Sequence, residues 1–120
     1  ACLPEPASLA QQYTGKTCIG TLIKGVYKNL PKEVFIYNIC DHQEAYLDVS
    51  SQAIAFTAGV PAVAAAVLVA RGDWDVKTMA NVEELDPEPF LNILNEMGLS
   101  TCISELPVNA EPSLPRTLCA

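Results

Sequence analysis

The chain has 120 residues, half of them apolar and only 18% charged, with a net charge of −7. That length suits one domain with a single core, and the apolar share excludes a disordered chain. The acidic balance argues against nucleic acid or an anionic membrane surface as a partner. The charge is uneven, with four lysines against five acids in residues 1–60 and three cations against nine acids in residues 61–120. Most of the second group lies between Asp73 and Glu96 and suits a solvated face.

Residues 3–15 are proline-rich and expected to be irregular. Thr17–Lys24 is a β-branched and apolar run that predicts a strand, and Glu33–Cys40 predicts a second, apolar on both faces and therefore central in its sheet. Between them, residues 25–32 hold Gly, Asn and Pro and predict a loop or a widened hairpin connection, with the two strands antiparallel. At Asp41 the pattern changes. Tyr46, Val49, Ala53, Phe56 and Val60 fall on one helical stripe, Asp41 is a candidate N-cap, and Glu44 stands three residues later in the capping-box position. Gly59 and Pro61 are expected to break this helix and start another. The second, Ala62–Ala70, is apolar all round, predicts burial on every side, and closes at Arg71-Gly72.

The whole run Ile54–Ala70 is short for a bilayer span and interrupted by Thr57, Gly59 and Pro61, so it is expected to be buried in protein. Such a cylinder in so short a chain is either the core helix under the sheet or a sign of a covering surface, another domain or another copy. Further on, Thr78–Glu84 suggests a short strand. Asp86-Pro87 is a helix start, and Phe90, Leu91, Leu94 and Met97 form the stripe of a helix ended by Gly98. Thr101–Glu105 suggests an edge strand. Residues 1–106 are expected to form the domain and 107–120 a proline-containing tail.

The five cysteines, at 2, 18, 40, 102 and 119, form no C-x-x-C pair, and their odd, scattered set predicts reduced thiols in a cytoplasmic protein. One histidine and unclustered cysteines do not make a familiar metal site, so no metal is expected. The chain opens on Ala-Cys-Leu-Pro-Glu-Pro without a start methionine, a basic leader or a cleavage site, and is expected to be an inner piece of a longer protein. It holds no G-x-G-x-x-G, no Walker lysine loop and no G-x-S-x-G elbow.

Asp41-His42-Gln43-Glu44 is the remaining chemical candidate, and two readings of it stand side by side. A histidine at a strand-to-helix junction can act as general acid or base, with Asp41 or Glu44 orienting it or holding a substrate ammonium. The same residues also make an ordinary helix cap beside an exposed histidine. The acidic turn Asn81–Pro87 has the same two sides, an amine-binding cluster or a solvated helix entry.

Several segments in series carry a resemblance: Gly15–Gly20, Ile36–Glu44, Gln52–Pro61, Trp74–Lys77 and Asn81–Leu91. Over roughly residues 3–100 they resemble the C-terminal part of the saccharopine dehydrogenase-like family. The resemblance implies an α+β fold, a mixed or antiparallel sheet covered by helices, with the family's Rossmann domain absent from this chain. It implies the substrate-binding and dimerisation domain of an NADPH-dependent reductase that couples aspartate semialdehyde to a diamine in polyamine biosynthesis. The cofactor would be held by the Rossmann domain of the parent. The expected partners are that domain, the aldehyde and diamine substrates, and a second copy in a homodimer. His42 and Asp41 are then the expected catalytic pair, with Glu44, Ser51, Gln52 and Thr57 as substrate contacts. The alternatives are a saccharopine dehydrogenase or reductase of lysine metabolism, and a non-catalytic module that self-associates through its apolar helix.

Overall fold

The computed structural model describes residues 6–9 and 12–108, so most of the expected tail lies outside the described residues. Its order is α1 (Pro6–Leu9), β1 (Lys16–Tyr27), β2 (Leu30–Asp41), α2 (His42–Val49), α3 (Ala53–Arg71), α4 (Pro87–Glu96) and β3 (Thr101–Leu106). The three strands form one antiparallel sheet in the order β1-β2-β3, which puts the β-branched run of β2 in the centre as expected. The α+β fold is therefore the one observed.

The hairpin is tighter than its composition suggested. Strands β1 and β2 pair without interruption from Lys16↔Asp41 to Tyr27↔Leu30, leaving Lys28 and Asn29 as a two-residue turn. Both have positive φ, 51° and 64°, the signature of a type I′ turn, whose twist matches that of the strands it joins. Gly25 and Pro31 thus lie inside the ladder near its free end and do not open a loop. Gly20 has a different task. It faces Tyr37, and the stacked rings of Phe35 and Tyr37, 4.7 Å apart, fold over it. Beyond the turn of the chain, Asn38 donates from Nδ2 to the Ser100 carbonyl (2.8 Å) and Thr101 Oγ1 (3.1 Å), fixing where β3 enters the sheet.

The helices break in another place than expected. Helix α2 stops after two turns, where Ser50 adopts a left-handed conformation (φ 53°) and gives its N–H to the Tyr46 carbonyl. Helix α3 then runs unbroken for 19 residues, about 28 Å, straight through Gly59 and Pro61. Proline has no N–H to offer the Thr57 carbonyl one turn back, a cost of about 3 kcal/mol in a helix interior. Packing outweighs it. Ala53, Thr57, Ala64 and Leu68 form a buried stripe on either side of the proline, and Phe56 and Val60 pack beside them.

That stripe is the only buried side of α3. Ile54 (64% exposed) and Val63 (53%) face outward, so the expected burial on every side does not occur within this chain. By length and hydropathy α3 meets the requirement for a bilayer span. Its packed stripe places it against the domain core. That core is Ala64, Leu68, Trp74, Ile93, Leu94 and Leu99. Trp74 anchors it, stacked on Phe90 at 5.5 Å and donating from Nε1 to the Asp86 carbonyl at 3.0 Å. Asp86 caps α4 by accepting from the Glu88 N–H, with Pro87 at the first helical position, as the sequence predicts.

Two further expectations fail. Thr78–Glu84 forms no strand; Val82–Glu84 is a single 3₁₀ turn instead. Cys102 is disulfide-bonded, whereas Cys18 and Cys40 are free, so the thiols are not uniformly reduced.

Candidate functional site

The site is the corner where the central strand ends. Asp41 is both the last residue of β2, paired with Lys16, and the N-cap of α2. Its extended backbone (φ −81°, ψ 136°) lets Oδ1 accept the N–H of Gln43 at 2.8 Å and of Glu44 at 3.3 Å, a cap worth about 1 kcal/mol. Oδ2 lies 4.0 Å from Lys16 Nζ, a loose pair that adds little. Most of the hydrogen-bonding capacity of Asp41 is therefore spent on local structure.

His42 is fixed from three sides. Its N–H donates to the Gly15 carbonyl at 3.0 Å, its ring meets the Tyr13 ring edge-on at 5.2 Å, and Nδ1 accepts the Ala53 N–H at 3.3 Å. Gln43 reinforces the same neighbourhood by donating from Nε2 to the Tyr13 carbonyl at 2.6 Å. The Ala53 contact has a physical reason. Helix α3 starts at Gln52, which supplies no side-chain cap, and Ala53 is fully buried (0% exposed), out of reach of water. An unpartnered N–H there would cost about 1–3 kcal/mol. His42 removes that cost.

Glu44 is exposed in the first turn of α2, where a carboxylate also suits the positive end of the helix. Ser51 and Gln52 form the break between the two helices, half-buried. Ser51 opens onto an apolar groove of about 430 Å³ with Phe56, Gly59, Val60 and Met97. Thr57 does not reach the corner surface. It is 8% exposed and its hydroxyl donates to the Ile54 carbonyl at 3.3 Å. Thus Asp41, His42 and Glu44 come together, Gln52 arrives beside them at the start of α3, Ser51 faces the groove, and Thr57 lies underneath.

Cys40, on the strand just before the corner, packs with Ala45 and Ala53. Burial pushes its thiol up from the ordinary value, and the carboxylates of Asp41, Glu44 and Asp48 push the same way. It is held as an inert apolar filler. What sequence reasoning missed was the reach of His42 to Ala53, together with Tyr13 and Gly15. The available signal was Ser50-Ser51, which ends α2 after two turns and returns the chain to its own start.

The residues present do not fit a nicotinamide dinucleotide. Such a group needs glycines and free N–H donors at a strand-to-helix turn. At the β2–α2 turn an aspartate occupies those donors and would repel a pyrophosphate. Among the described residues no three His, Cys, Asp or Glu side chains gather as metal ligands.

Comparison with known proteins gives a consistent picture. Residues 1–99 match the family model of the saccharopine dehydrogenase C-terminal domain. The chain is 49% identical over 115 residues to a carboxynorspermidine synthase of Vibrio alginolyticus, covering 96% of this chain and 27% of that protein. It is 47% identical to the carboxynorspermidine synthase of Vibrio cholerae over the same shares. To a carboxyaminopropylagmatine dehydrogenase of Synechocystis sp. it is 52% identical over 99 residues, 82% of this chain and 25% of that protein. The chain thus spans about a quarter of the length of these curated relatives.

Proposed function

Because the chain belongs to the saccharopine dehydrogenase C-terminal domain family, we propose that it is the substrate-binding and dimerisation part of a reductase of polyamine biosynthesis. The parent would couple aspartate semialdehyde to an amine with NADPH, in the cytoplasm, as a homodimer. The observation that carries this reading is the near-half identity to two carboxynorspermidine synthases over almost the whole chain. NADPH would be held by a Rossmann domain elsewhere in the parent, since the residues here do not fit it.

Within this reading Glu44 is the substrate-facing carboxylate of the corner, with Asp41 and His42 holding the corner in place, Ser51 and Gln52 bordering it and Thr57 supporting α3 below. Glu44 is the best placed to meet an ammonium group, being exposed and free of any ion pair among the described residues. A second reading concerns the amine alone. Identity to the carboxyaminopropylagmatine dehydrogenase is as high, which favours agmatine as a rival acceptor.

The test is an assay of the full-length protein with NADPH, aspartate semialdehyde and either a short aliphatic diamine or agmatine. NADPH oxidation that requires both aldehyde and diamine is expected. Dependence on agmatine alone would select the second reading, and no amine-dependent oxidation would overturn both.

A further inference from the structure

The link between His42 and Ala53 constrains what the imidazole can do. A backbone N–H only donates, so the nitrogen facing it must present a lone pair. Nδ1 is that nitrogen, which leaves the proton of the neutral ring on Nε2. Alternative partners for the Ala53 N–H are scarce, because the residue is fully buried and the Gln52 side chain gives α3 no cap. Nor is the ring free to turn away. The His42 N–H is tied to the Gly15 carbonyl and the ring lies edge-on to Tyr13, so its backbone and its plane are set from the β1 side of the corner. The same imidazole therefore joins the end of the central strand to the start of the longest helix, across eleven residues of sequence.

We infer that His42 is a positioning residue: a neutral imidazole protonated on Nε2, whose Nδ1 holds the first N–H of α3 and so sets the distance between Glu44 on α2 and Gln52 at the start of α3. It works through Ala53 and leaves proton transfer to other groups. This role rests on the proposed function only in its kinetic consequence. The hydrogen bond and tautomer stand independently of which substrate the parent takes.

Asparagine and glutamine separate the two nitrogens. The asparagine amide oxygen lies near the position of Nδ1, and the longer glutamine side chain carries its amide toward the position of Nε2. The full-length protein is labelled with ¹⁵N in its histidine rings, the His42 resonances being assigned by their loss in His42→Asn. Melting temperature and steady-state kinetics are then compared for wild type, His42→Asn, His42→Gln and His42→Leu. The expected results are an unprotonated Nδ1 and a protonated Nε2. His42→Asn should keep the wild-type melting temperature and an amine KM within about threefold. His42→Gln and His42→Leu should raise the amine KM about tenfold or more while kcat stays within about threefold, the mark of a displaced Glu44–Gln52 border. A proton on Nδ1 would overturn the inference. So would a His42→Asn variant that falls as far as His42→Gln, or a set of three variants indistinguishable from wild type. If the wild-type protein shows no amine-dependent activity, the proposed function fails, and the spectrum and melting temperatures still decide the positioning role.

Discussion

Gly20→Ala should be far more harmful than its size suggests. A Cβ built at Gly20 would lie 2.6 Å from Tyr37 Cβ, 2.8 Å from the Ile36 carbonyl oxygen and 2.8 Å from Phe35 Cε2. Carbon atoms rest at about 3.5–4.0 Å, so the methyl overlaps its neighbours by about 1 Å. Only the Phe35 ring can swing aside. Tyr37 is 4% exposed and directly opposite in the ladder, and the Ile36 oxygen is backbone. β1 must therefore pull away from β2 at its middle, an overpacking cost of about 2–3 kcal/mol. Loss of glycine's freedom in the unfolded chain returns about 0.4–1 kcal/mol, leaving a net loss of about 1–2.6 kcal/mol. Gly25→Ala is the control, since nothing lies within 4 Å of its Cβ, and it should be neutral or slightly stabilising. Urea unfolding of the two variants in the full-length protein measures the difference. Equal midpoints would refute the argument that the aromatic stack requires a glycine beneath it.

Two further outcomes follow from the packing. Leu68→Ala should destabilise by about 2–5 kcal/mol, because Leu68 is 2% exposed at the centre of the core; urea midpoints would show it, and a loss below about 1 kcal/mol would contradict that placement. Cys40 should resist iodoacetamide at neutral pH while Cys18 reacts, since burial and three nearby carboxylates disfavour its thiolate. The sign of the linked stability follows. A thiol raised in the folded state contributes stability fully present below the ordinary thiol value and lost as pH climbs through the folded one. Cys40→Ala should remove that alkaline loss, seen as a flatter melting profile above pH 9.

How much of this was legible beforehand depended on how local each signal is. The β-branched run of β2, the Asp41 cap and the Asp86-Pro87 start are set by neighbours in sequence, and each appears where the residues imply. The hairpin was harder, because lysine is an unusual residue for a left-handed position and the Gly25 and Pro31 flanks suggested a loop. Gly59 and Pro61 are strong local punctuation, yet the Ala53–Leu68 stripe spans them. The helix boundary went to Ser50, whose only mark is a serine pair. An all-round apolar surface on α3 does not say which side meets the core, and scattered cysteines do not reveal that Cys102 is bonded. At the site, Asp41, His42 and Glu44 were readable as a cluster. The bond from His42 to Ala53 was not, since it depends on α2 being only two turns long.

The claim that this corner faces the substrate is tested most directly by the amine KM of Glu44→Gln in the full-length protein. An exposed carboxylate that meets an ammonium should, when neutralised, raise that KM by about three- to tenfold, leaving the aldehyde KM and the melting temperature nearly unchanged. An unaltered amine KM would contradict it and leave Asp41-His42-Gln43-Glu44 as a helix cap alone.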